Sequence, residues 1–548
     1  MKPNVLFINL PYLPKEFLWG NIEGKSRMQG SPLTMPMGLL YLSACLKAHV
    51  EVGNVALLDY RLHVARRLEY DSDDEFFREE AKRNVAFVPD VIGISIDFST
   101  SSGHFEIVVP QLKILWPKTM LVTGGYHATN ATAFLLNCSD VDYVVRGEGE
   151  IAFSEIVSQF SRSKYLNIQG VYDRGALKVA EKFLLAEPVA NLNVMPLPDW
   201  TLLDMERYVT GGRRRLYGEE ESIPRAATML TTRGCPYRCT FCSNHTVHGR
   251  RVRSRSADSI VNEMKTLYER YGVTTFIPED DLFTADKERL MSVLEAIRQA
   301  HIPGMDLQLG NGLSVGALDE EMLDALVSVG IRSVTIAIES GSEYVQKEII
   351  MKNVNLKKTK EVVIWSHNRG LIVRAYIIFG FPNETRELMN ETVQYMKELG
   401  ADWYVINIAQ PLLGTEMYET FLKRGCFKEG VEFWSHNLSH ERRFDTDEIS
   451  ASELTEFCYC TNLEINFLGN VNLRNGNFNR AIELFTDMTQ LYPFHIFAWF
   501  GLYCAYRGLK NFDKADASLL RMKQLIASDD RAAEMYHQYG HLIEKGIV

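Results

Sequence analysis

The sequence contains no uncharged apolar run of about 18 residues, the length a membrane-spanning helix needs, so a bilayer-embedded protein is not expected. Its first residues, MKPNVLFINLPYLP, lack the long apolar core and small-residue cleavage site of a secretion signal. They read instead as a buried strand. Positive charge is in deficit: the formal net charge of −11 argues against a general binder of nucleic acid or of anionic membranes. Basic runs at Arg213–Arg215 and Arg250–Arg255 remain as places to grip an anionic cofactor. Arg251, Arg253 and Arg255 alternate, and most of these three are expected to face solvent.

A disulfide framework is missing as well. Nine cysteines, an odd number, are scattered over 548 residues, which favours reduced thiols or metal ligands and a cytoplasmic location. Cys45, Cys138, Cys426, Cys458, Cys460 and Cys504 stand singly or in apolar surroundings and read as buried, inert thiols. Cys458 and Cys460 have no second pair beside them, so a second cluster is not expected.

What is present is apolar content for several cores, in a chain long enough for three or four units. The fold class is α/β. Residues 1–165 alternate strands (Asn4–Asn9, Val55–Asp59, Val91–Asp97, Met120–Gly124, Val141–Val145) with helix-length segments such as Met37–Lys47. That order predicts a doubly wound, Rossmann-like parallel sheet with its ligand at the carboxyl ends of the strands. Asp97 to Gly103, Gly124–Gly125 and Gly147 would lie there. Residues 166–225, which include PLPDW at Pro196–Trp200 and the GGRRR run, show no sustained period and read as a connector with a short hairpin.

Over 226–430 the alternation returns, with candidate strands Ala227–Thr232, Thr274–Pro278, Asp306–Leu309, Ser333–Ile338, Arg374–Phe379 and Trp403–Ile408. Six repeats fall short of the eight of a closed barrel, so a partial (β/α)6 barrel is expected. Residues 431–548 are helical. Asn477-Phe478-Asn479-Arg480-Ala481 returns 34 residues later as Asn511-Phe512-Asp513-Lys514-Ala515, the period of a tetratricopeptide repeat. Two such units would dock on the barrel, either as a cap or as a surface for a protein partner.

The strongest signal is Arg233-Gly234-Cys235-Pro236-Tyr237-Arg238-Cys239-Thr240-Phe241-Cys242. Three thiolates at this spacing can hold three irons of a cuboidal cluster and leave the fourth open. A zinc site completed by His245 or His248 is the alternative chemistry for the same thiols. The motif resembles that of the radical S-adenosylmethionine (SAM) superfamily, CxxxCxxC with an aromatic residue before the last cysteine, here Phe241. Successive strand ends resemble the same family in order. Glu279-Asp280-Asp281 matches the segment for the SAM amino group, and Ile338-Glu339-Ser340-Gly341 the one near its ribose. Gly380-Phe381-Pro382-Asn383-Glu384-Thr385 matches the turn at adenine, and Gln410-Pro411-Leu412-Leu413-Gly414-Thr415 the closing motif.

The resemblance implies a [4Fe-4S] cluster on Cys235, Cys239 and Cys242. It further implies SAM contacts from Phe241, Glu279, Asp280, Glu339, Ser340, Gly380 and Pro382. Arg374, at a strand start, is either a partner for the SAM carboxylate or half of a surface ion pair.

The first 150 residues resemble the cobalamin-binding domain that precedes many radical SAM cores. The resemblance rests on Pro36–Leu42, Asp90–Ser95, Gly124–Thr129 and Val144–Glu150. It implies cobalamin near Ser95, Gly124, Gly125, Gly147 and Glu148, with His127 the nearest histidine. The pattern Asp-x-His-x-x-Gly is absent, since Asp59 is followed by Tyr60-Arg61-Leu62-His63, so no protein histidine is expected below cobalt. Taken together, the resemblances imply methyl transfer to an unactivated carbon or phosphorus of a small, carrier-linked or peptide-linked substrate. The electron donor would be of the flavodoxin or ferredoxin kind. An oxidative cyclase, like the magnesium-protoporphyrin monomethyl ester cyclase, is the second reading, and a non-catalytic cobalamin sensor the third.

Overall fold

The computed structural model describes residues 2–16, 33–138, 140–160, 167–179, 182–211, 225–438 and 440–546. The Arg213–Arg215 run lies outside these. The chain divides into two compact units, one of residues 1–213, 225–311 and 410–438, the other of residues 214–224, 312–409 and 439–548.

In the first unit, β1 (Val5–Asn9), β2 (Val55–Asp59), β3 (Val91–Ser95), β4 (Met120–Gly124), β5 (Tyr143–Val145) and β6 (Val171–Tyr172) form one sheet in the order β2-β1-β3-β4-β5-β6. All neighbours are parallel except β6, which returns antiparallel to β5. Side chains alternate across a strand, which explains the two cores. Leu6, Ile8, Ile92 and Ile94 enter the one that contains Phe76, Phe105 and Leu112 from two helices. Val5, Phe7, Val91 and Val122 enter the other with Leu39, Leu46, Phe153 and Ile156. Each such apolar side chain contributes about 1.5–3 kcal/mol by leaving water. Strand order reverses between β1 and β3, the point at which a doubly wound sheet opens a crevice for its ligand.

The same unit carries β7 (Ala226–Met229), β8 (Thr232–Arg233), β9 (Arg253–Ser254), β10 (Thr275–Pro278) and β11 (Asp306–Leu307). β10 lies between β7 and β11, both parallel to it. The strand expected over Ala227–Thr232 is divided, because Thr232–Arg233 turns away to pair antiparallel with Arg253–Ser254.

In the second unit β12 (Ser333–Glu339), β13 (Ile372–Phe379) and β14 (Trp403–Ile408) form a parallel sheet. Its register shifts between Ala337 and Glu339, and Glu339 has a φ of +69°. A helical region follows. The edge of β14 is closed by Asn466, whose amide accepts from Tyr404 N–H and donates to Tyr404 C=O, both at 2.8 Å. Satisfying a strand edge in this way removes a template for unwanted pairing. Asn466 is aimed there by a π-helical turn, Leu463–Leu468. The two repeated pentapeptides open the helices Phe478–Leu491 and Phe512–Ser528, each followed by a second helix, Ile496–Gly508 and Asp530–Gly546. Among the described residues no helix is long and apolar enough to cross a membrane.

His495 is buried in this helical core, stacked on Phe467 with ring centroids 4.5 Å apart, and burial pushes its imidazole down to about 4. An unfolded histidine takes its proton near pH 6.5, so as pH falls from 6.5 towards 4 the unfolded state binds a proton that the folded state refuses. The expected loss is about 3 kcal/mol at full extent. His495→Phe should flatten the fall in denaturation midpoint between pH 6.5 and 4; an unchanged pH profile would refute the assignment.

Candidate functional site

Cys235, Cys239 and Cys242 sit in the segment that leaves β8, each half-buried. The backbone around them is pinned. Gly234 N–H donates to Asp281 Oδ2 at 2.6 Å, and Gly234 has a φ of +88°. A Cβ there would lie 2.4 Å from the Arg251 carbonyl oxygen, so only glycine lets β8 turn directly into the first cysteine. Cys242 N–H donates to Cys239 C=O at 3.3 Å, and Thr240 C=O accepts from Met417 N–H at 3.0 Å. Phe241 is half-buried between them. Three thiols within eight residues of a pinned loop are a donor set that fits a cluster with one iron left for another ligand. Of the histidines weighed as a fourth zinc ligand, His245 Nδ1 faces Cys242 C=O at 3.1 Å, and His248 Nδ1 faces Glu148 Oε1 at 2.7 Å. Among the described residues, no three or more His, Cys, Asp or Glu side chains are gathered as a single metal ion would require.

The three acidic residues after β10 separate in role. Asp280 is 3% exposed and accepts from both the N–H and the hydroxyl of Thr231, the former at 2.5 Å. Burial raises its carboxyl above the ordinary value, against those hydrogen bonds. It ties two strand ends together. Glu279 and Asp281 line an open cavity.

That cavity is bounded on one side by the carboxyl ends of β1, β3, β4 and β5, and on the other by Leu230, Arg233, Val247 and His248. Ser95, Gly124, Gly125, Gly147 and Glu148 line it, whereas His127 does not. The His127 ring packs edge-on against Trp434 at 5.1 Å with Nδ1 3.1 Å from Ser99 Oγ, and burial pushes it down to about 4, so it stays neutral. Arg61, Asp97 and Tyr126 line the cavity too. Arg61 is fixed by Asp59 at 2.6 Å and by Thr34 C=O at 2.7 Å, and Asp59 also accepts from Tyr208 at 2.6 Å. His63 Nδ1 lies 3.1 Å from Glu80 Oε2, and burial lowers its imidazole below the ordinary value. Glycines at the strand ends, with a cation and an anion facing one space, are a cradle that suits a large polar cofactor.

The wall between this cavity and the cysteine loop is ionic and buried. Glu148, 4% exposed, meets Arg253 (Nη1–Oε2 2.8 Å), His248 (2.7 Å) and Arg233 (3.3 Å). Arg233 also meets Glu150 at 2.7 Å and lies over the Tyr41 ring at 5.3 Å. Burial works against the Glu148 charge, but Arg253 and His248 hold its carboxyl well below the usual range. Arg255 is paired with Glu263 and donates to Leu230 C=O at 3.0 Å. Of the three alternating arginines only Arg251 is exposed, contrary to the solvent-facing expectation for most of them. Glu148 lines the cavity, and its carboxylate faces Arg233 and Arg253.

In the second unit, Glu339 pairs with Lys352 at 2.6 Å. Ser340 is fully buried, its hydroxyl 2.9 Å from Thr392 Oγ1. Gly380 has a φ of +86° and donates to Glu384 at 2.7 Å, which shapes the turn containing buried Pro382. Glu384 is itself pushed up to about 8 by burial. Along β13, Val373, Ala375, Ile377 and Phe379 are buried, while Arg374, Tyr376 and Ile378 are half-exposed on the other face. Arg374 Nε is buried without a hydrogen-bond partner, the condition of a donor that a ligand's acceptor would complete.

Two family models match: the B12 binding domain over residues 32–157 and the Radical SAM superfamily over residues 229–406. An uncharacterized methyltransferase of Pyrococcus horikoshii is 29% identical over 391 residues, covering 70% of this chain and 78% of the relative. The cytidylyl-2-hydroxyethylphosphonate methyltransferase of Streptomyces wedmorensis is 27% identical over 432 residues, covering 72% and 78%. Among solved structures, the radical SAM methyltransferase TsrM from Kitasatospora setae, with cobalamin and a [4Fe-4S] cluster bound, superposes with a TM-score of 0.57. That likeness, at 19% identity over 77% of this chain and 78% of that one, is one of fold.

Proposed function

We propose that this chain, which belongs to the cobalamin-dependent radical SAM enzymes, transfers a methyl group to an unactivated carbon or phosphorus of a small molecule. The observation that carries the proposal is that one compact unit holds both the glycine-lined cavity and the three-cysteine loop, with Glu279, Asp281, Arg233 and His248 on the side of the cavity nearer that loop. The names of the two relatives, both methyltransferases, support the reaction class.

When bound, the cluster and SAM supply a carbon radical, and the corrin a methyl group for the substrate. The chain's residues do the rest. Cys235, Cys239 and Cys242 would hold the cluster, with Asp281 fixing the backbone of Gly234 ahead of the first thiolate. Glu279, on the cavity lining, would receive the SAM amino group. Ser95, Gly124, Gly125 and Gly147 would seat the corrin edge or its tail. We read residues 1–165 as the cobalamin-binding domain, 166–225 as connector, 226–430 as the radical SAM core and 431–548 as the helical region. Its repeats are read as tetratricopeptide-like, and the chain as cytoplasmic.

The test is product analysis after anaerobic reconstitution with iron, sulfide, hydroxocobalamin and a reductant, then incubation with SAM and candidate substrates. Methyl transfer expects both 5′-deoxyadenosine and S-adenosylhomocysteine. The first without the second, in cluster-loaded protein turning over its substrate, would overturn it in favour of cyclisation.

A further inference from the structure

We propose that Glu148 is a positioning residue that couples the cobalamin cavity to the cysteine loop, so that filling the cavity changes the affinity of the loop's cofactors. The proposal rests on reading Cys235–Cys242 as the cluster loop and does not require methyl transfer. Glu148 lies at the cavity rim, between two glycines, Gly147 with a φ of +86° and Gly149. Glu148 therefore belongs to the surface a corrin would press on, and two partners of its carboxylate, Arg233 and His248, line the same cavity.

There it is the shared anion of three groups that bracket the cysteines. Arg233 stands two residues before Cys235, His248 six residues after Cys242, and Arg253 on the strand paired with β8. Arg253 binds both carboxylate oxygens, and its Nη1 also donates to Val189 C=O at 2.8 Å. A second tie runs beside the first. Tyr126 follows Gly125 at the cavity floor and donates through its hydroxyl to Asn244 Oδ1 at 2.5 Å, two residues beyond Cys242. Asn130, one helical turn on, donates to Thr246 at 2.9 Å.

The charge count makes Glu148 the critical member. Two buried guanidinium groups, Arg233 and Arg253, face two buried carboxylates, Glu148 and Glu150, and only Glu148 touches both arginines. An amide at 148 leaves two cations on one anion, and a buried charge without its partner moves until it finds water or another acceptor. The backbone that moves with Arg233 is the backbone of Cys235. A displacement of Glu148 by a ligand in the cavity travels by the same route, through packed and hydrogen-bonded groups rather than through solvent.

The test uses the full chain carrying its reconstituted cluster, with and without hydroxocobalamin. It reads SAM binding at equilibrium and the electron paramagnetic resonance of the reduced cluster. In the native protein cobalamin should change SAM affinity about fivefold or more and shift the cluster signal, while in Glu148→Gln the change should shrink to about twofold or less. Retained iron and cobalamin content shows that the variant has folded. Should Glu148→Gln fail to fold, Tyr126→Phe removes only the hydroxyl of the second tie and should lower the same coupling. A native protein with no cobalamin effect on SAM binding, or folded variants of both kinds with undiminished coupling, would overturn the proposal. Neither readout involves methylated product, so its failure and the failure of the methyl-transfer reading are separate results.

Discussion

Cys235→Ala, Cys239→Ala and Cys242→Ala are each expected to lower 5′-deoxyadenosine formation from SAM by at least about a thousandfold, or about 4 kcal/mol of activation free energy. Each variant removes one of three donors, and three of the other thiols are poor substitutes. The Cys45 thiol, on a helix of the cobalamin-binding domain, is pushed up to about 12 by burial. Cys460 is pushed up to about 12 and Cys504 to about 11 for the same leading reason. A thiol that resists ionisation is a poor ligand. His245 and His248 are the nearest alternatives in sequence, and His248 is engaged by Glu148. The measurements are iron content and 5′-deoxyadenosine yield after reconstitution, with Cys45→Ala as the control that should lose neither. A single-cysteine variant that still cleaves SAM at native yield would refute the cluster assignment.

The sequence made this loop legible because its chemistry is local: three cysteines, a glycine and an aromatic residue lie within ten positions. The strands were legible for a related reason. Val91–Ser95 and Met120–Gly124 are β-branched or apolar runs that end in small residues, and a pattern of that kind needs no distant partner to be read. The ionic wall was not legible. Arg251, Arg253 and Arg255 alternate along a basic run, as solvent-facing residues do, and the carboxylate that pairs with Arg253 stands 105 positions earlier.

The contacts of Asp280 and His127 were illegible for a different reason. Both occupy the expected strand ends, but backbone geometry turns Asp280 onto Thr231 and His127 onto Trp434, and no periodicity of the sequence encodes that rotation. Arg61 and Tyr126 could have been found. Each follows a strand end by two residues, and side chains just past the carboxyl ends of a doubly wound sheet face its ligand.

The same geometry supplies the second large expected effect, at Gly125. Its backbone, with φ +100° and ψ −177°, occupies a region open essentially to glycine alone. A Cβ at this position would lie 2.5 Å from Asp97 Oδ1 and 2.8 Å from the Ile96 carbonyl oxygen. Neither neighbour yields easily. Ile96 C=O accepts from His127 N–H at 2.9 Å, Ile96 N–H donates to Gly124 C=O at 2.9 Å, and Asp97 accepts from Ser95 Oγ at 2.9 Å. Gly125→Ala must therefore separate the ends of β3 and β4 or rotate Asp97 into the cavity, and both take room from the ligand. Strain of this kind costs about 1–3 kcal/mol, which, expressed at the cavity, weakens binding by roughly 5- to 150-fold. Titration with hydroxocobalamin should find Gly125→Ala at least about fivefold weaker than the native protein. Iron content should be unchanged, because the contacts that pin Gly234 and Thr240 do not pass through Gly125. Native affinity in Gly125→Ala would mean that cobalamin does not sit at the ends of β3 and β4.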